Sequence, residues 1–379
     1  MQSQKSSLKK VFLITHEFYP TLRGISVFLQ EIAKCATRMG YQIVVWAPGN
    51  DALSNAKFAY PVKALDLKGT QSWLSRIKLG IELYRSRHQF HDAILYLAEP
   101  GPVRTMLYLQ LFSVIKPKAL WITLYGSEIK KFTFLPYRKF LFKKLLNSAD
   151  RVSVISQYNR VFLSQIFPNL KPDITISGGA LKSDCSPAKI KKKEKSRNKI
   201  IVLTVGGIHP RKGQLDLLAA MNGLELKLKK IIEYWIVGPI IKRSYLKRIQ
   251  AYAENNKLKY RYLGVVDNKE LSDLYLEADI YAMTSIDYSN SVEGFGLTYL
   301  EASAHRLPII AHRVGGVEDA VKDNITGILV DPGDKEKLTT AIKLLAENTS
   351  LRNKLGEAGV HWAENQRWED CVENIFGEL

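Results

Sequence analysis

Two glutamates eight positions apart, Glu293 and Glu301, flank the glycine-rich stretch Gly294-Phe295-Gly296. Pro308 predicts that the helix after these glycines ends just before it, so Glu293 is expected in a strand-to-helix loop and Glu301 about one turn inside the helix. Carboxylates so placed can each accept hydrogen bonds from a diol, one from a sugar and one from a ribose. The glycine amides between them can bind a diphosphate. The alternative is a surface glutamate beside a helix-face glutamate.

A second segment carries two cations after a short apolar strand. Gly206 and Gly207 end that strand, and Arg211 and Lys212 precede a helix expected to begin near Gln214. Arginine can bind two phosphate oxygens and lysine acts as a point charge, so both suit a diphosphate at a helix N-terminus. The spacing is neither that of a Walker loop nor that of a dinucleotide-binding fingerprint. A solvated basic loop is the alternative interpretation.

The first half of the chain offers one glycine as a candidate. Gly24 lies between the first apolar strand and the amphipathic segment 26–39. A glycine there leaves room for a phosphate to approach the backbone. Taken alone, it fits an ordinary turn better.

The elements that must position these residues are apolar, β-branched runs alternating with helix-compatible segments. Continuously apolar strands separated by helices are typical of a parallel sheet covered on both faces. The predicted strands are Val11–Thr15, Ile43–Ala47, Ala93–Tyr96, Leu120–Leu124, Val152–Ile155, Ile174–Ile176, Ile200–Val205, Tyr234–Val237, Tyr260–Leu263, Asp279–Ala282, Ile309–Ala311 and Gly327–Val330. The lysine-rich segment 186–199 interrupts this series, which predicts a linker between two doubly wound α/β domains.

Composition excludes several classes of protein. With 379 residues, 46% hydrophobic and 24% charged, the chain has the balance of a soluble globular protein rather than a disordered one. Its three cysteines are far apart, which excludes a disulfide scaffold and a zinc ribbon and favours a reducing compartment. No apolar run reaches the ~18 residues of a membrane-spanning helix. The N-terminus lacks the ~7-residue apolar core of a signal peptide, so a cytoplasmic location is expected.

The positive charge is concentrated in one half of the chain. The net charge of the whole sequence is +18. Residues 1–180 hold 25 basic and 10 acidic residues, a net charge of +15, whereas residues 181–379 hold 30 and 27, a net charge of +3. This asymmetry indicates an anionic partner for the first half: nucleic acid, an acidic membrane surface or an acidic polymer. The densest basic and aromatic stretch contains Lys130, Lys131, Arg138, Lys139, Lys143 and Lys144, with Phe132, Phe134, Phe140 and Phe142 interleaved.

The segment EGFGLTYLEA, residues 293–302, resembles the E-x7-E signature of the retaining glycosyltransferases of family 4, the group 1 transferases. VGGIHPRKG, residues 205–213, is similar to that family's phosphate-binding segment, and looser similarity extends over most of the chain. The resemblance implies the GT-B fold, in which two Rossmann-like domains face each other across a cleft. We accordingly expect an acceptor-binding domain over 1–185, a nucleotide-sugar-binding domain over 199–360 and a terminal helix in 361–379 that docks back towards the first domain.

The resemblance also implies roles for individual residues. Glu293 is expected to hold hydroxyls of the donor sugar, Glu301 those of the ribose, and Lys212 the diphosphate. Gly24 is expected to let its loop close over that diphosphate. The remaining members of the expected donor site are Tyr125, Gly206, Gly207, Gly294, Phe295 and Gly296.

Two positions depart from the family's pattern. Gly207 stands where the family usually has an arginine, so one phosphate-binding cation is missing, and Arg211 is the candidate that substitutes for it. Tyr125 stands where a histidine is common. A tyrosine can still form a hydrogen bond but stays neutral at physiological pH.

The activity implied by the resemblance is transfer of a hexosyl unit from a nucleotide diphosphate sugar to a glycan or lipid-linked acceptor, with retention, in cell-surface polysaccharide or glycolipid synthesis. No metal and no further cofactor are expected. The basic stretch predicts a peripheral position on anionic lipid at the inner face of the plasma membrane, and the alternative is a solvated helix packed on its own sheet. Two alternatives stay open: a sugar-nucleotide 2-epimerase of the same fold, and a basic nucleic-acid-binding protein, which would leave the two glutamates unexplained.

Overall fold

A computed structural model describes residues 10–21, 23–67, 72–181, 199–289 and 291–377. The chain divides into two compact units: unit 1 is residues 1–179 with 368–379, and unit 2 is residues 180–367. The predicted linker 186–199 lies outside the described residues except for Lys199.

Unit 1 contains a seven-stranded sheet in which neighbouring strands pair in parallel. Its strands are β1 (Lys10–Ile14), β2 (Gln42–Pro48), β3 (Val62–Leu65), β4 (Ile94–Leu97), β5 (Ala119–Leu124), β6 (Arg151–Val154) and β7 (Ile174–Ile176). They lie in the order β3-β2-β1-β4-β5-β6-β7. Alternate residues of a strand point to opposite faces of the sheet, and in β1 both Val11 and Leu13 on one face and Phe12 and Ile14 on the other are buried. Both faces of the sheet are therefore covered, which explains why the strand is continuously apolar.

Helices connect these strands in the described part of unit 1. They are α1 (Gly24–Arg38), α2 (Asp51–Asn55), α3 (Trp73–Arg85), α4 (Pro100–Leu109), α5 (Ser127–Thr133), α6 (Pro136–Ser148) and α7 (Gln157–Ile166). Helices α3, α4 and α6 contribute Leu79, Met106 and Phe142 to one hydrophobic core, which they share with the strands.

Unit 2 contains a six-stranded parallel sheet in the order β10-β9-β8-β11-β12-β13. Its strands are β8 (Ile200–Val205), β9 (Ile232–Val237), β10 (Tyr260–Gly264), β11 (Ile280–Met283), β12 (Ile309–His312) and β13 (Gly327–Val330). Its helices are α8 (Gln214–Asn222), α9 (Leu226–Ile231), α10 (Arg243–Asn255), α11 (Asn268–Glu277), α12 (Leu297–Ala304), α13 (Val317–Ala320), α14 (Lys335–Glu347) and α15 (Thr349–Glu364).

The last helix, α16 (Trp368–Phe376), belongs to unit 1. Its aromatic residues provide the contacts: the Trp368 ring lies 5.5 Å from that of Phe28 on α1, and the Phe376 ring lies 5.3 Å from that of Trp121 on β5. The Tyr41 hydroxyl donates to the Phe376 carbonyl at 3.0 Å. The C-terminal helix thus packs against the elements of unit 1, which are formed by the N-terminal half of the sequence.

The predicted fold class, two doubly wound parallel-sheet domains, is confirmed. All twelve predicted strands are present within two residues of their expected bounds. The sequence analysis missed β3, an edge strand in which only Leu65 is buried and which therefore lacks a continuous apolar run. None of the helices in the described ranges combines the length and the apolar character needed to cross a bilayer.

Candidate functional site

In each sheet the strand order reverses at one switch point, and ligands of open α/β sheets bind beyond the carboxyl ends of the strands there. In unit 2 this point lies between β8 and β11. The loop after β8 carries Arg211 and Lys212, and the loop after β11 carries Glu293. The topology therefore brings the two candidate segments of the second half to one edge.

Glu293 is the centre of the contacts at this edge. Its Oε2 accepts hydrogen bonds from Nη1 of Arg211 at 2.8 Å, from Nζ of Lys212 at 2.7 Å and from the Ser285 hydroxyl at 3.2 Å. The Glu293 residue is 8% exposed, so these partners replace water around a buried charge. Ser285 was not predicted; it lies two residues after the end of β11, and its position after a strand end was the available signal.

The electrostatics of this cluster favour an ionised carboxylate. Burial alone would raise the pKa of Glu293, but the charges and hydrogen bonds of Lys212 and Arg211 lower it to about 2. Burial also lowers the pKa of Lys212, and its contact with Glu293 opposes that effect. The cluster is therefore a buried ion pair with one surplus positive charge, as an anion-binding site requires.

Two glycines in these loops adopt positive φ angles and make close approaches. Gly213 has φ of +68°, and a Cβ there would lie 1.8 Å from the Thr284 carbonyl oxygen. Gly296, just before α12, has φ of +91°, and a Cβ there would lie 2.4 Å from Cδ2 of Tyr299. Only glycine fits these two positions without displacing Thr284 or Tyr299. The phosphate-loop candidate consequently sits directly on the end of β11.

Glu301 lies inside α12, on the helix as predicted, and is 8% exposed. Its Oε2 accepts a hydrogen bond from the Tyr275 hydroxyl at 3.0 Å. The charges of both predicted carboxylates act on Tyr281 of β11. Burial is the main cause that raises the pKa of Tyr281, and the charges of Glu301 and Glu293 raise it further. Both glutamates therefore lie around the same strand end. Gly294 and the buried Phe295 lie between them in the chain.

The glycine that replaces the family's arginine is covered by a neighbouring loop. A Cβ at Gly207 would lie 2.8 Å from Cγ1 of Ile241, so any larger residue there requires Ile241 to move. Gly206 is less restricted, because its nearest contact would be Cε of Lys212 at 3.5 Å. The space beside Gly207 is thus occupied by the loop that follows β9.

That loop contributes a cation that the sequence analysis missed, Lys242. Its Nζ donates to the Tyr288 hydroxyl at 3.3 Å, and the Tyr288 ring stands edge-on to His209 at 5.2 Å. Burial lowers the pKa of His209, and the charges of Arg211, Lys242 and Lys212 lower it further. Within the described ranges, no carboxylate lies within ion-pair distance of Lys242. Its place after the β9 end, at Gly238-Pro239, was the signal that could have identified it.

The two candidates in unit 1 lie on neighbouring elements. Gly24 is the first residue of α1, and nothing lies within 4 Å of the position a Cβ would take. Tyr125 follows β5; its hydroxyl donates to the Ala98 carbonyl at 3.0 Å, and its ring stands edge-on to Phe28 of α1 at 5.9 Å. Burial raises the pKa of Tyr125, so it stays neutral. The hydroxyl proton of Tyr125 is therefore already donated to a backbone carbonyl.

Where side chains are described, no group of three or more His, Cys, Asp or Glu residues is arranged to hold a metal ion. His88 and His91 have ring centroids 6.0 Å apart without further ligands of that kind.

The sequence and the fold resemble known glycosyltransferases. Residues 186–362 match the family described as glycosyl transferases group 1. A GDP-mannose-dependent α-(1-6)-phosphatidylinositol monomannoside mannosyltransferase of Mycolicibacterium smegmatis is 28% identical over 64% of this chain and 65% of its own length. A GDP-mannose-dependent monoacylated α-(1-6)-phosphatidylinositol monomannoside mannosyltransferase of Corynebacterium glutamicum is 25% identical over 99% of this chain and 98% of its own length.

Among solved structures, the Anabaena protein HepE in complex with UDP and glucose superposes with a TM-score of 0.75 at 18% sequence identity. The superposition covers 97% of this chain and 98% of that one. At this identity the likeness concerns the fold, which is the GT-B fold.

Proposed function

We propose that this chain, whose residues 186–362 match the group 1 glycosyl transferases and whose fold is the GT-B fold, transfers a hexosyl unit from a nucleotide diphosphate sugar to a lipid-linked glycan acceptor, with retention at the anomeric carbon. The observation that carries the proposal is the contact of Arg211 and Lys212 with Glu293 at the switch point of unit 2. Two cations beside one carboxylate can hold a diphosphate and the adjoining sugar hydroxyls together. The names of the mannosyltransferase relatives make GDP-mannose the first donor to test.

In the proposed donor complex, Lys212 and Arg211 bind the diphosphate and Glu293 binds hydroxyls of the transferred sugar. Both cations now share a single oxygen, Oε2 of Glu293. A diphosphate entering the site competes with that oxygen, and the carboxylate gains capacity to accept hydrogen bonds from the sugar. Donor binding thus exchanges an internal ion pair for one with the substrate.

The nucleoside end of the donor is assigned to Glu301, which accepts the ribose hydroxyls. The Tyr275 hydroxyl, 3.0 Å from Oε2 of Glu301, fixes the orientation of this carboxylate before the ribose arrives. Backbone amides at Gly294, Phe295 and Gly296 precede α12, where a helix N-terminus adds a favourable potential for the phosphates.

The missing arginine at Gly207 is replaced, in this proposal, by charge from two other positions. Arg211 lies on the Glu293 carboxylate, and Lys242 comes from the loop that covers Gly207. Besides burial, the charges of Arg211, Lys242 and Lys212 all lower the pKa of His209. The three cations therefore lie near the loop that contains His209. Three cations and one carboxylate suit the charge of a departing diphosphate.

Retention is proposed without a covalent intermediate on the enzyme. The leaving diphosphate takes the proton of the acceptor hydroxyl as that oxygen attacks on the same face of the sugar. The protein orients donor and acceptor and stabilises the negative charge on the leaving group, a task assigned to Lys212 and Arg211. No metal ion or further cofactor is assigned to the reaction.

For the acceptor side, we propose that an anionic membrane surface at the cytoplasmic face contacts unit 1 through the predicted basic stretch. The structure changes which aromatic residues can take part. Phe134 and Phe140 are 78% and 67% exposed, but Phe132 and Phe142 are buried in the core and cannot reach a bilayer. The basic residues of the proposed contact are Lys130, Lys131, Arg138, Lys139, Lys143 and Lys144.

Helix α3 supports the same surface with an apolar face that the sequence analysis did not assign. Helices α3 and α6 both pack on α4, so their outer faces belong to one side of unit 1. The apolar face of α3 is formed by Trp73, Leu74, Ile77, Ile81 and Tyr84, each more than 40% exposed. Exposed apolar residues beside clustered lysines are typical of a peripheral membrane contact.

The proposal is tested by screening GDP-, UDP- and ADP-sugars for thermal stabilisation, since a ligand of the native state raises the melting temperature. The donor so identified is then incubated with lipid-linked mannosides, and the anomeric configuration of the product is read by NMR. Transfer with retention is expected. An inverted product contradicts retention alone, epimerisation of the donor without acceptor supports the epimerase, and the absence of stabilisation by any nucleotide sugar overturns the proposal.

A further inference from the structure

Unit 1 carries a buried histidine–glutamate pair at its own switch point, between β1 and β4. Ile14 of β1 pairs with Leu97 of β4. His16 lies two positions after Ile14, and Glu99 lies two positions after Leu97, so both follow the ends of their strands. Both side chains have no exposed area. The pair therefore occupies the edge at which an open α/β sheet binds its ligand.

Hydrogen bonds fix the Glu99 carboxylate from several directions. Its Oε1 accepts the backbone N–H of His16 at 2.9 Å and lies 3.1 Å from Nδ1 of the same residue. Its Oε2 accepts the backbone N–H of Gly101 at 2.7 Å, in the first turn of α4. The packing leaves no room for a side chain at Gly101, where a Cβ would lie 2.3 Å from Nδ1 of His16.

This arrangement determines which ring nitrogen is available. An ionised carboxylate only accepts, so the proton of the contact is on Nδ1, and in the neutral ring Nε2 keeps its lone pair. Nε2 is buried and has no hydrogen-bond partner among the described residues. A carboxylate that fixes the tautomer of a histidine leaves Nε2 able to accept a hydrogen bond from a hydroxyl group.

The surroundings of the pair select the kind of ligand. Burial raises the pKa of Glu17, and the Glu99 charge raises it further; burial likewise raises that of Glu128 to about 7, with Glu99 adding to the shift. These acidic groups act on one another near the end of the sheet, and the charge of Arg23 lowers the pKa of Glu17 only in part. A phosphate is therefore repelled there, whereas a neutral ring with hydroxyl groups is not.

We infer that His16 and Glu99 form a hydroxyl-binding subsite for the acceptor, in which Nε2 of His16 accepts a hydrogen bond from a neutral sugar or cyclitol ring and Glu99 is a positioning residue. The inference rests on the proposed function, because it assumes that unit 1 receives the acceptor. The His16 side chain is buried in this structure, so the hydroxyl reaches Nε2 after local opening, which lowers the apparent affinity.

Two conservative variants separate binding from a purely structural role. The amide of His16→Asn takes the place of Nδ1 and keeps a donor to Glu99, but provides no acceptor at the position of Nε2. The longer His16→Gln provides an oxygen near that position. Ser153→Ala, which removes a buried hydroxyl from β6 in the same sheet, is the matched control.

The binding of octyl α-mannoside, octyl α-glucoside, octyl α-galactoside and myo-inositol is measured by imidazole ¹⁵N NMR with GDP present. We expect at least one compound to shift an Nε2 signal that is missing in His16→Asn, and its Kd to rise roughly tenfold or more in His16→Asn. His16→Gln and Ser153→Ala should stay within about threefold of wild type.

Wild-type affinity in His16→Asn, or no binding of any of the four compounds to the wild-type protein, overturns the inference. The proposed function is judged separately by donor-induced stabilisation and sugar transfer. If transfer is intact and the acceptor KM of His16→Asn is unchanged, the subsite is wrong and the function stands. If no nucleotide sugar binds, the function fails, and the NMR titration still decides the subsite.

Discussion

Nζ of Lys212 lies 2.7 Å from Oε2 of Glu293, so the residue assigned to the diphosphate is bonded to the residue assigned to the sugar. The two are 81 positions apart in the sequence and meet because β8 and β11 are neighbours in the sheet. Such a contact makes each residue's effect on donor binding depend on the other.

Lys212→Ala is expected to lower kcat/KM for the donor by roughly tenfold to a thousandfold, because it removes a buried charge-assisted contact to the leaving diphosphate. Steady-state kinetics with the donor found in the stabilisation screen measure the effect. Lys247→Ala, at an exposed position on α10, is the control and should keep wild-type kinetics. Wild-type kcat/KM in Lys212→Ala would contradict the assigned role.

Arg211→Ala and Lys242→Ala test the proposal that these two cations supply the charge of the arginine expected at Gly207. Each should raise the donor Kd by roughly three- to thirtyfold, and the double variant should lose more than either alone, because both cations act on the same diphosphate. Isothermal titration with the nucleotide diphosphate gives the values. If Lys242→Ala binds like wild type while Arg211→Ala does not, Arg211 alone supplies the missing charge.

The sequence predicted most of the sheet but not the contacts across it. Apolar runs indicate where strands lie, which is why only the half-exposed edge strand β3 was missed. His16 and Glu99 are 83 positions apart, and their contact depends on β1 pairing with β4, an order that periodicity does not encode. Lys242 likewise reaches His209 only because β9 lies beside β8.

Exposure was the other property that the sequence could not supply. All four phenylalanines of the basic stretch have basic and apolar residues as near neighbours in the sequence. Phe132 and Phe142 are nevertheless buried, whereas Phe134 and Phe140 are exposed. Within each pair, Phe132 with Phe134 and Phe140 with Phe142, the residues are two positions apart and therefore lie on different faces of a helix, and the packing of α5 and α6 in unit 1 determines which face is buried. An imperfect amphipathic pattern cannot determine it.

Glu293 should make the stability of unit 2 sensitive to acid. Burial raises the pKa of Glu293, but Lys212 and Arg211 outweigh it and hold the pKa at about 2, below the ordinary value of 4.5. Since the folded pKa is depressed, this contribution is complete above pH 4.5 and is lost as the pH falls towards about 2.

Glu293→Gln should therefore be less stable than wild type by roughly 1–3 kcal/mol near neutral pH, and the difference should shrink as the pH is lowered through about 3. Urea unfolding at a series of pH values measures both free energies. Glu254→Gln, at an exposed position on α10, should show no such convergence. A constant difference between wild type and Glu293→Gln at all pH values would disprove the assigned ion pair.

On the proposed membrane-contacting surface of unit 1, charge and apolar contact should make separable contributions to binding. Each lysine or arginine near an anionic surface contributes about 1 kcal/mol, and salt screens this attraction, whereas burial of apolar side chains is insensitive to moderate salt. The protein should therefore sediment with anionic vesicles and weakly with neutral ones, and ~0.5 M salt should reduce the bound fraction without abolishing it.

Two sets of variants separate the contributions. Changing Arg138, Lys139, Lys143 and Lys144 to Gln should remove the preference for anionic lipid. Changing Ile77 and Ile81 to Asn should remove the salt-resistant fraction, because both project from the exposed face of α3. Leu226→Asn removes an apolar side chain from unit 2 that is even more exposed than Ile77 and Ile81, and we expect no effect there. Equal binding to neutral and anionic vesicles, or none to either, contradicts the membrane proposal and favours a soluble acidic acceptor, while donor-induced stabilisation should persist in every variant.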